Sequence, residues 1–366
     1  MTGYYPRLYV NLDAVADNAC VMRREMAARG LAVCGVAKVA DVAVPVAEAY
    51  MKSGLSQIAG SRVAQVKAYK QAHPEWTTML LRAPSLCDVP GAVTWADICI
   101  VTDLQTARWL NEEAKRQKKT TAALIMADIG DRRDGITDPN ELTELGVFIE
   151  KCSNLKLVGI AANYCCVSGL LPDDENLEQF ASFAEKLTSA VGHPLEIVSG
   201  GNSTLLLRIY SGEELPGIIN HIRLGGTIIN PYNMKLNRGF AFPDLNMDTV
   251  RLEAQISEIR DKPPAPVLQP GKNWKGEEVT FCSAGVRKRA IINLGCMDIG
   301  DPYNLLPFDD SITVFASSSD HTVLDITDCG KLLKVGDTVS FRLRYAGLMY
   351  CFAGRHVTIE YSRRSL

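Results

Sequence analysis

Lys38 is the one charged side chain in an otherwise uncharged run, Leu31-Ala-Val-Cys-Gly-Val-Ala-Lys38-Val-Ala40. Such a run is typical of a parallel-sheet strand that is covered on both faces. A lysine at its carboxyl end must reach solvent in a cleft or lose its charge. A lysine with a lowered pKa is a nucleophile that forms Schiff bases with carbonyl compounds, pyridoxal phosphate (PLP) included. The alternative is a lysine whose head simply lies in water, and other segments have to decide between the two.

Two glycine pairs end two later apolar runs. The first stretch is Ile197-Val-Ser-Gly-Gly-Asn-Ser-Thr204, and the second is His221-Ile-Arg-Leu-Gly-Gly-Thr227. Backbone N–H groups freed by glycine, a helix N-terminus and a serine hydroxyl are the groups that a phosphate monoester requires. Each pair alone is better explained as a plain turn. Together with a lysine on an early strand, the two pairs indicate a ligand that carries a phosphate.

Alternating strands and helices would position these residues. Through the first two-thirds of the chain, short apolar runs alternate with helical stretches, which predicts the βα units of a parallel barrel. Strands are expected near 7–13, 31–39, 57–61, 77–84, 98–103, 121–129, 155–164, 195–201 and 221–228. Helices are expected near 14–29, 42–54, 62–73, 104–118, 140–152 and 175–192. Nine strands are one more than a (β/α)8 barrel needs. In such a barrel, active-site residues lie at the carboxyl ends of strands, and phosphate binds after the seventh and eighth.

The C-terminal third has a different pattern. A proline cluster, Pro263-Pro-Ala-Pro266, breaks the chain, and short β-like runs follow near 279–281, 287–294, 311–316, 322–327, 337–344 and 356–361. Hardly any helical period occurs among them. We therefore predict an α/β fold in which a TIM-like (β/α)8 barrel over residues 7–240 is followed by a C-terminal all-β domain over 241–366.

Composition excludes several classes of protein. A formal net charge of -3 over 366 residues gives no case for a nucleic-acid or membrane-surface partner. The N-terminus has no apolar core typical of a signal peptide, and no apolar run is long enough to span a bilayer. The 11 cysteines are scattered without a CxxC pair, so neither a metal site nor a disulfide framework is indicated. These features predict a soluble, cytoplasmic protein with reduced thiols.

A series of ordered motifs resembles the fold-type III PLP enzymes of the alanine racemase superfamily, most closely the amino-acid racemase branch that includes ornithine racemase. The resemblance extends almost from end to end. Its motifs are Gly35-Val-Ala-Lys38, Leu81-Arg-Ala-Pro84, Asp128-Ile-Gly-Asp-Arg-Arg-Asp-Gly135, Val198-Ser-Gly-Gly-Asn-Ser203, His221-Ile-Arg-Leu-Gly225, Gly285-Val-Arg-Lys-Arg289 and Ala316-Ser-Ser-Ser-Asp-His321. In such enzymes the first strand belongs with the β domain, which would leave eight strands for the barrel.

The resemblance assigns PLP as the cofactor and Lys38 as the residue that holds it, which also serves as one of two catalytic bases. It assigns the phosphate to Asn202, Ser203, Gly225 and Gly226. Arg223 matches the arginine that faces the pyridine nitrogen. A guanidinium does not give up its proton, so the cofactor would remain a weak electron sink, which suits racemisation.

Two further positions follow from the same resemblance. Asn163 stands where alanine racemases carry a histidine, and it would support Arg223. Arg133 matches an arginine that orients the substrate carboxylate by bidentate contact. The alternative for Arg133 is a solvated charge. Ser319 and Asp320, in the last motif, are assigned to substrate binding.

The chain departs from the family pattern at two points. Val42 stands where a tyrosine usually helps to hold the phosphate, and Tyr361 is the candidate to replace that tyrosine. The second catalytic base of alanine racemase is a tyrosine from the partner subunit, whereas the best-matching stretch here has Phe281 followed by Cys282. Cys282 could act as the base, with an inert buried thiol as the alternative. His321 is another candidate, with a structural histidine as its alternative.

The resemblance implies a PLP-dependent racemase that interconverts L- and D-amino acids by two-base transfer of the α-proton. It further implies a homodimer with shared active sites and a substrate such as ornithine, lysine or a similar amino acid. Ornithine, lysine, arginine, alanine and serine all remain open as substrates. A PLP-dependent decarboxylase of the same fold is a second hypothesis, against which Arg223 counts because such enzymes usually carry a glutamate there. A PLP-binding protein without turnover is a third, against which the full-length β domain counts.

Overall fold

A computed structural model describes residues 4–263, 271–278 and 285–363. The chain divides into two compact units. One comprises Ala14–Asn246, and the other combines the N-terminal segment up to Asp13 with the residues from Met247 onward. The predicted fold class is confirmed, because the first unit contains a closed parallel barrel and the second a C-terminal β-sheet.

The first strand of the chain, β1 (Arg7–Asn11), is not part of the barrel. In the described chain, eight parallel strands close the barrel in sequence order, with β9 paired to β2. The barrel strands are β2 (Ala32–Val36), β3 (Gln57–Gly60), β4 (Thr77–Leu80), β5 (Ile98–Val101), β6 (Thr121–Met126), β7 (Leu155–Ala161), β8 (Ile197–Ser199) and β9 (His221–Leu224). Their short uncharged sequences suit strands that are covered on both faces. All four residues of β5 are buried.

Helices follow the barrel strands. Those of the first unit and its entry are α1 (Leu12–Ala27), α2 (Val44–Lys52), α3 (Val63–Ala72), α4 (Val89–Trp95), α5 (Leu104–Arg116), α6 (Pro139–Glu150), α7 (Asp174–Val191), α8 (Leu205–Tyr210), α9 (Gly226–Ile229) and α10 (Tyr232–Arg238). Helix α5 begins where the Asp103 side chain accepts a hydrogen bond from the Thr106 N–H, and it buries Ala107, Leu110 and Ala114. Helices α4, α8, α9 and α10 were not predicted, because they are too short to show a helical period.

The barrel interior is filled by side chains from alternating strand positions. They form one apolar cluster of Cys34, Val36, Ala59, Met79, Ile98, Ile100, Leu124, Met126, Val158, Ala161 and Ile197. A filled interior leaves only the strand ends and their loops for ligands. A ligand site is therefore expected at the carboxyl ends of the barrel strands, as in other barrels of this kind.

The second unit is an eight-stranded sheet within the described residues. Strand β1 pairs antiparallel with β10 and parallel with β16, and the other strands follow the order β12-β15-β10-β11-β14-β13. The strands after the barrel are β10 (Val250–Lys262), β11 (Arg287–Ile292), β12 (Leu305–Pro307), β13 (Thr313–Ser317), β14 (Thr322–Asp325), β15 (Thr338–Leu343) and β16 (Thr358–Ser362). The strand predicted near 279–281 lies outside the described residues.

This unit is not made of strands alone. It also contains α11 (Cys296–Ile299) and α12 (Tyr345–Ala353). Helix α12 reads Tyr-Ala-Gly-Leu-Met-Tyr-Cys-Phe-Ala and carries no charged residue, so it lacks the polar face that reveals a helix in sequence. Strand β10 was also missed, although it alternates buried Val250, Leu252, Ala254 and Ile256 with more exposed residues.

Within residues 4–263, 271–278 and 285–363, no helix is long and apolar enough to cross a membrane. In the same ranges, no group of three or more His, Cys, Asp or Glu side chains could hold a metal ion.

Candidate active site

Lys38 lies at the mouth of the barrel, two residues after β2, and it begins a short 3₁₀ helix (Lys38–Ala40). Its backbone carbonyl accepts a hydrogen bond from Gln65 Nε2 at 3.1 Å, which holds this turn. Burial lowers the pKa of the Lys38 amine, and the nearby guanidinium groups of Arg133 and Arg223 also lower it, against the opposite influence of Cys166 and Asp134. A lowered pKa favours the neutral amine, which is the nucleophilic and proton-accepting form.

Arg223 on β9 is buried, with 4% of its surface exposed. Its Nη1 donates to Ser199 Oγ at 2.5 Å and its Nη2 donates to the Ala162 carbonyl at 2.6 Å. Burial lowers the pKa of Arg223 to about 10, so the group is still charged near neutral pH. Because β9 pairs with β2, Arg223 lies on the strand beside the one that Lys38 follows, although 185 positions separate the two residues in sequence.

A chain of buried polar groups extends from Arg223. His221 Nδ1 lies 2.9 Å from Ser199 Oγ, and His221 Nε2 lies 3.1 Å from Gln57 Oε1. Burial lowers the pKa of His221 to about 3, and Arg223 contributes to this shift. The ring is therefore neutral near pH 7. It donates through Nε2 to Gln57 and accepts at Nδ1 from the Ser199 hydroxyl, which leaves the Ser199 oxygen to accept from Arg223.

Asn163, just after β7, is buried and connects two other loops. Its Nδ2 donates to Asp131 Oδ2 at 2.7 Å, and its Oδ1 accepts from Asn202 Nδ2 at 3.1 Å. Asn202 Nδ2 also donates to the Tyr164 carbonyl at 2.7 Å. Asn163 thus binds Asp131 and Asn202, whereas Arg223 binds Ser199 and the backbone of Ala162. The resemblance implies that Asn163 supports Arg223, and this stays a prediction, since the two side chains have different hydrogen-bond partners.

Asp131 belongs to the sequence motif Asp128–Gly135, which by itself indicates no role for this residue. Its side chain is buried, with 2% of the residue exposed. The carboxylate accepts from the backbone N–H of Cys166 at 3.0 Å and of Val167 at 3.2 Å, besides Asn163. Burial raises the pKa of Asp131, but the hydrogen bonds from Val167, Asn163, Cys166 and their neighbours outweigh it and lower the pKa overall. Asp131 is thus a charged anchor for the loop that follows β7.

Arg133 reaches the same region from the loop after β6. Its Nε donates to Asp134 Oδ1 at 2.5 Å, and its Nη1 donates to Cys166 Sγ at 3.3 Å. Burial is the largest single influence on the pKa of Arg133 and lowers it. Asp134 and Cys166 together outweigh burial, so the pKa is raised overall. Arg133 is exposed, but its guanidinium is paired with Asp134 and Cys166.

The two glycine turns pack too closely against their neighbours to accept a side chain. A Cβ on Gly225 would lie 2.7 Å from the Val36 carbonyl oxygen, and one on Gly201, whose φ is +149°, would lie 2.8 Å from the Tyr164 ring. The Tyr50 hydroxyl donates to the Gly225 carbonyl at 2.8 Å and fixes that turn. Gly225 and Gly201 are therefore required at these close contacts with Val36 and Tyr164.

Thr227 carries an unsatisfied polar group next to the second turn. It is fully buried, and its Oγ1 has no hydrogen-bond partner within the part of the chain that the structure describes. A buried hydroxyl left without a partner costs about 1–3 kcal/mol. An oxyanion bound at the Gly225-Gly226 turn would supply an acceptor. These residues therefore fit a phosphate group, and Thr227 is a residue that sequence reasoning missed.

Ser203 lies half-buried in the turn before α8, in the same unit as the barrel. The other predicted residues belong to the second unit. Ser319, Asp320 and His321 are exposed in the turn between β13 and β14. Ser319 Oγ donates to Asp320 Oδ2 at 2.6 Å, and the His321 carbonyl accepts from the Ser318 N–H at 2.8 Å. Tyr361 lies on β16 with 38% of its surface exposed, and burial raises the pKa of its hydroxyl. Cys282 lies outside the described residues.

The sequence model of one protein family, described as alanine racemase, N-terminal domain, matches residues 10–231. The chain belongs to this family. The match confirms the resemblance that the motifs predicted, and it covers every barrel strand from β2 to β9.

Known proteins related to this alanine racemase family member include a lysine racemase of Thermotoga maritima. It is 35% identical over 345 residues, which are 94% of this chain and 95% of the relative. An ornithine racemase of Acetoanaerobium sticklandii is 31% identical over 360 residues, 97% of this chain and 99% of the relative. A crystal structure of alanine racemase from Bartonella henselae with covalently bound pyridoxal phosphate superimposes with a TM-score of 0.74. It is 18% identical and covers 98% of this chain and all of the other, so it shows the fold alone.

Proposed function

We propose that this protein is a PLP-dependent amino-acid racemase that interconverts L- and D-enantiomers. The observation that carries the proposal is the Lys38 amine, whose pKa is lowered at the mouth of a barrel beside Arg133 and Arg223. The relatives named lysine racemase and ornithine racemase, each similar over nearly its full length, support the reaction. They also favour a diamino acid as the substrate.

Several residues of this chain would hold the cofactor. Lys38 would bind it as a Schiff base, and the turns with Asn202, Ser203, Gly225 and Gly226 would hold its phosphate. The unpaired Thr227 hydroxyl adds a donor to that set. Tyr361, from the other unit, is proposed as the replacement for the phosphate-binding tyrosine that Val42 displaces. Asn163 would keep Asn202 in place through their hydrogen bond.

When bound, PLP withdraws electrons from the α-carbon of an attached amino acid and so makes its proton acidic. Lys38, in its neutral form, would accept that proton from one face of the α-carbon. Arg223 would face the pyridine nitrogen while keeping its own protons, because its pKa of about 10 still lies above neutrality. Withholding a proton there limits side reactions and favours simple return of the proton to the α-carbon.

The substrate would be oriented by its carboxylate. Arg133 is held by Asp134 and Cys166, and its other N–H groups have no hydrogen-bond partner among the described residues. A guanidinium with free N–H groups suits bidentate binding of a carboxylate. Ser319 and Asp320 are proposed to contact the substrate as well. We further propose that the protein works in the cytoplasm as a homodimer. In it, the barrel unit of one protomer, Ala14–Asn246, binds PLP, and the C-terminal β domain of the partner completes the site.

The purified protein is expected to convert L-lysine or L-ornithine into a mixture of both enantiomers when PLP is supplied. Chiral chromatography of reactions with L-lysine, L-ornithine, L-arginine, L-alanine and L-serine measures this directly. Release of carbon dioxide with loss of the amino acid would instead indicate a decarboxylase. Absence of any D-amino acid and of any other product would refute the proposed activity.

The second base is expected to serve the face of the α-carbon opposite Lys38, and Cys282 and His321 are its candidates. If Cys282 is the base, Cys282→Ser should slow racemisation by about 10²–10⁴-fold in both directions, because the two enantiomers have equal free energy. Exchange of the α-proton should continue only from the enantiomer that Lys38 deprotonates. If His321 is the base, His321→Asn should show this asymmetry of exchange and Cys282→Ser should not.

Deuterium uptake from D₂O, measured separately from each enantiomer, decides between the two bases. His193→Asn is a control for histidine replacement, because His193 lies on the barrel surface and pairs with Glu150. If neither Cys282→Ser nor His321→Asn loses deuterium uptake from one enantiomer alone, another residue is the second base.

A further inference from the structure

Cys166 lies where three functional loops meet, although nothing in the sequence distinguishes it from the other cysteines. Its Sγ accepts a hydrogen bond from Arg133 Nη1 at 3.3 Å and lies 3.8 Å from Asn202 Nδ2. The group also acts electrostatically on Lys38. The thiol is thus close to the proposed carboxylate-binding arginine, the phosphate turn and the proposed Schiff-base lysine.

The position of Cys166 is set by a buried charge. Its backbone N–H donates to both carboxylate oxygens of Asp131, at 3.0 and 3.3 Å. Asp131 also accepts from Val167 and Asn163, so the loop after β7 is tied to the loop after β6 at several points. A charge-assisted network of this kind has little freedom to move. The Cys166 side chain is therefore presented to Arg133 in a defined place.

Arg133 in turn is held from two sides. Asp134 accepts from Nε and Cys166 accepts from Nη1. An arginine has five N–H donors, so the contacts leave donors on Nη1 and Nη2 for a ligand. Without the thiol contact, the end of this long side chain would be fixed by Asp134 alone. A guanidinium that must be ordered at the moment of binding binds its ligand more weakly.

We propose that Cys166 is a positioning residue for the amino-acid site: its thiol orients the Arg133 guanidinium to receive the substrate carboxylate. The inference rests on the proposed racemase activity and adds a residue to it. Because Cys166 is exposed, the same contact makes substrate binding sensitive to alkylation of the thiol. Cys20 and Cys87 are exposed as well and serve as internal references.

Cys166→Ala is expected to raise KM for the amino acid about tenfold while kcat stays within about twofold, because a contact that orients binding is lost and the proton-transfer groups remain. Cys166→Ser keeps a hydrogen-bond acceptor and should restore KM to within about threefold of the unaltered protein. Cys87→Ala is the matched control and should change neither constant. An unchanged KM in Cys166→Ala, or a loss confined to kcat, would overturn the positioning role.

A second measurement does not depend on turnover. Iodoacetamide should alkylate Cys166, and saturating L-lysine or L-ornithine, whichever is turned over, should slow this alkylation at least about fivefold by occupying the site, with Cys20 and Cys87 unaffected. Peptide mass analysis gives the rate for each thiol. Equal rates with and without the amino acid would overturn the inference alone. If the unaltered protein racemises nothing, the proposed function fails first and this inference fails with it.

Discussion

Lys38→Ala is expected to abolish racemisation, with a loss of at least about 10²–10⁴-fold, because the variant lacks the amine that moves the α-proton. The same change should remove covalent attachment of PLP. Borohydride treatment of the unaltered protein reduces a Schiff base to a stable amine, so peptide mass analysis should find the cofactor on Lys38 and on no other lysine. In Lys38→Ala this label should disappear.

Lys186→Ala is the matched control, because Lys186 is exposed on α7. It should keep both the label and the activity. A label on a different lysine of the unaltered protein would contradict the whole assignment of the site. Circular dichroism spectra of both variants should match that of the unaltered protein, which separates loss of chemistry from loss of fold.

Arg223→Glu is expected to have the second-largest effect, slowing racemisation by about 10²-fold while transamination by-products increase. A glutamic acid can share a proton with the pyridine nitrogen, whereas the guanidinium of Arg223 withholds one. The rate is measured by chiral chromatography, and the keto acid formed in transamination is measured in the same samples.

The glutamate variant also loses the hydrogen bonds from Arg223 to Ser199 and to the Ala162 carbonyl. Arg223→Gln separates this structural loss from the effect of the proton, because a glutamine amide donates hydrogen bonds but does not ionise. It should slow racemisation without raising the transamination product. The same product ratio in Arg223→Glu, Arg223→Gln and the unaltered protein would show that Arg223 does not face the ring.

The buried arginine depends on a neutral neighbour. Removing a charge from water costs several kcal/mol unless its donors are paired. Arg223 meets this requirement through the Ser199 hydroxyl and the Ala162 carbonyl. His221, which shares Ser199 with it, has a pKa lowered to about 3 and therefore adds no second positive charge near neutral pH. Neutral His221 lets Ser199 donate to the ring and so present its oxygen to Arg223.

Much of the fold could be predicted from local patterns. The uncharged runs that became β2 to β9 are short, β-like and separated by helical stretches, and strands of this kind have few alternatives to a covered parallel sheet. Lys38 and the glycine pairs could be recognised because each is unusual in its local sequence. Lys38 is a charge in an apolar run, and the glycine pairs are flexible residues at the ends of rigid strands. Such features depend only on neighbouring residues, so the sequence alone reveals them.

Other features were invisible for equally physical reasons. Helix α12 has no polar face, and its period cannot be read from hydrophobicity. The family resemblance placed the first strand with the β domain, and the structure confirms this. Strand propensity alone, however, does not specify the pairing of β1 with β10 and β16.

The composition of the site was settled by closure of the barrel. Closing the sheet pairs β9 with β2 and brings Arg223 to the strand beside Lys38. The contacts of Asp131 with Asn163 and of Arg133 with Cys166 join the loops after β6 and β7, more than 30 positions apart in sequence. Residue type and local spacing predicted a reactive lysine and a phosphate-binding turn. The partners of each charge depend on distances in space, and only the folded barrel sets those distances.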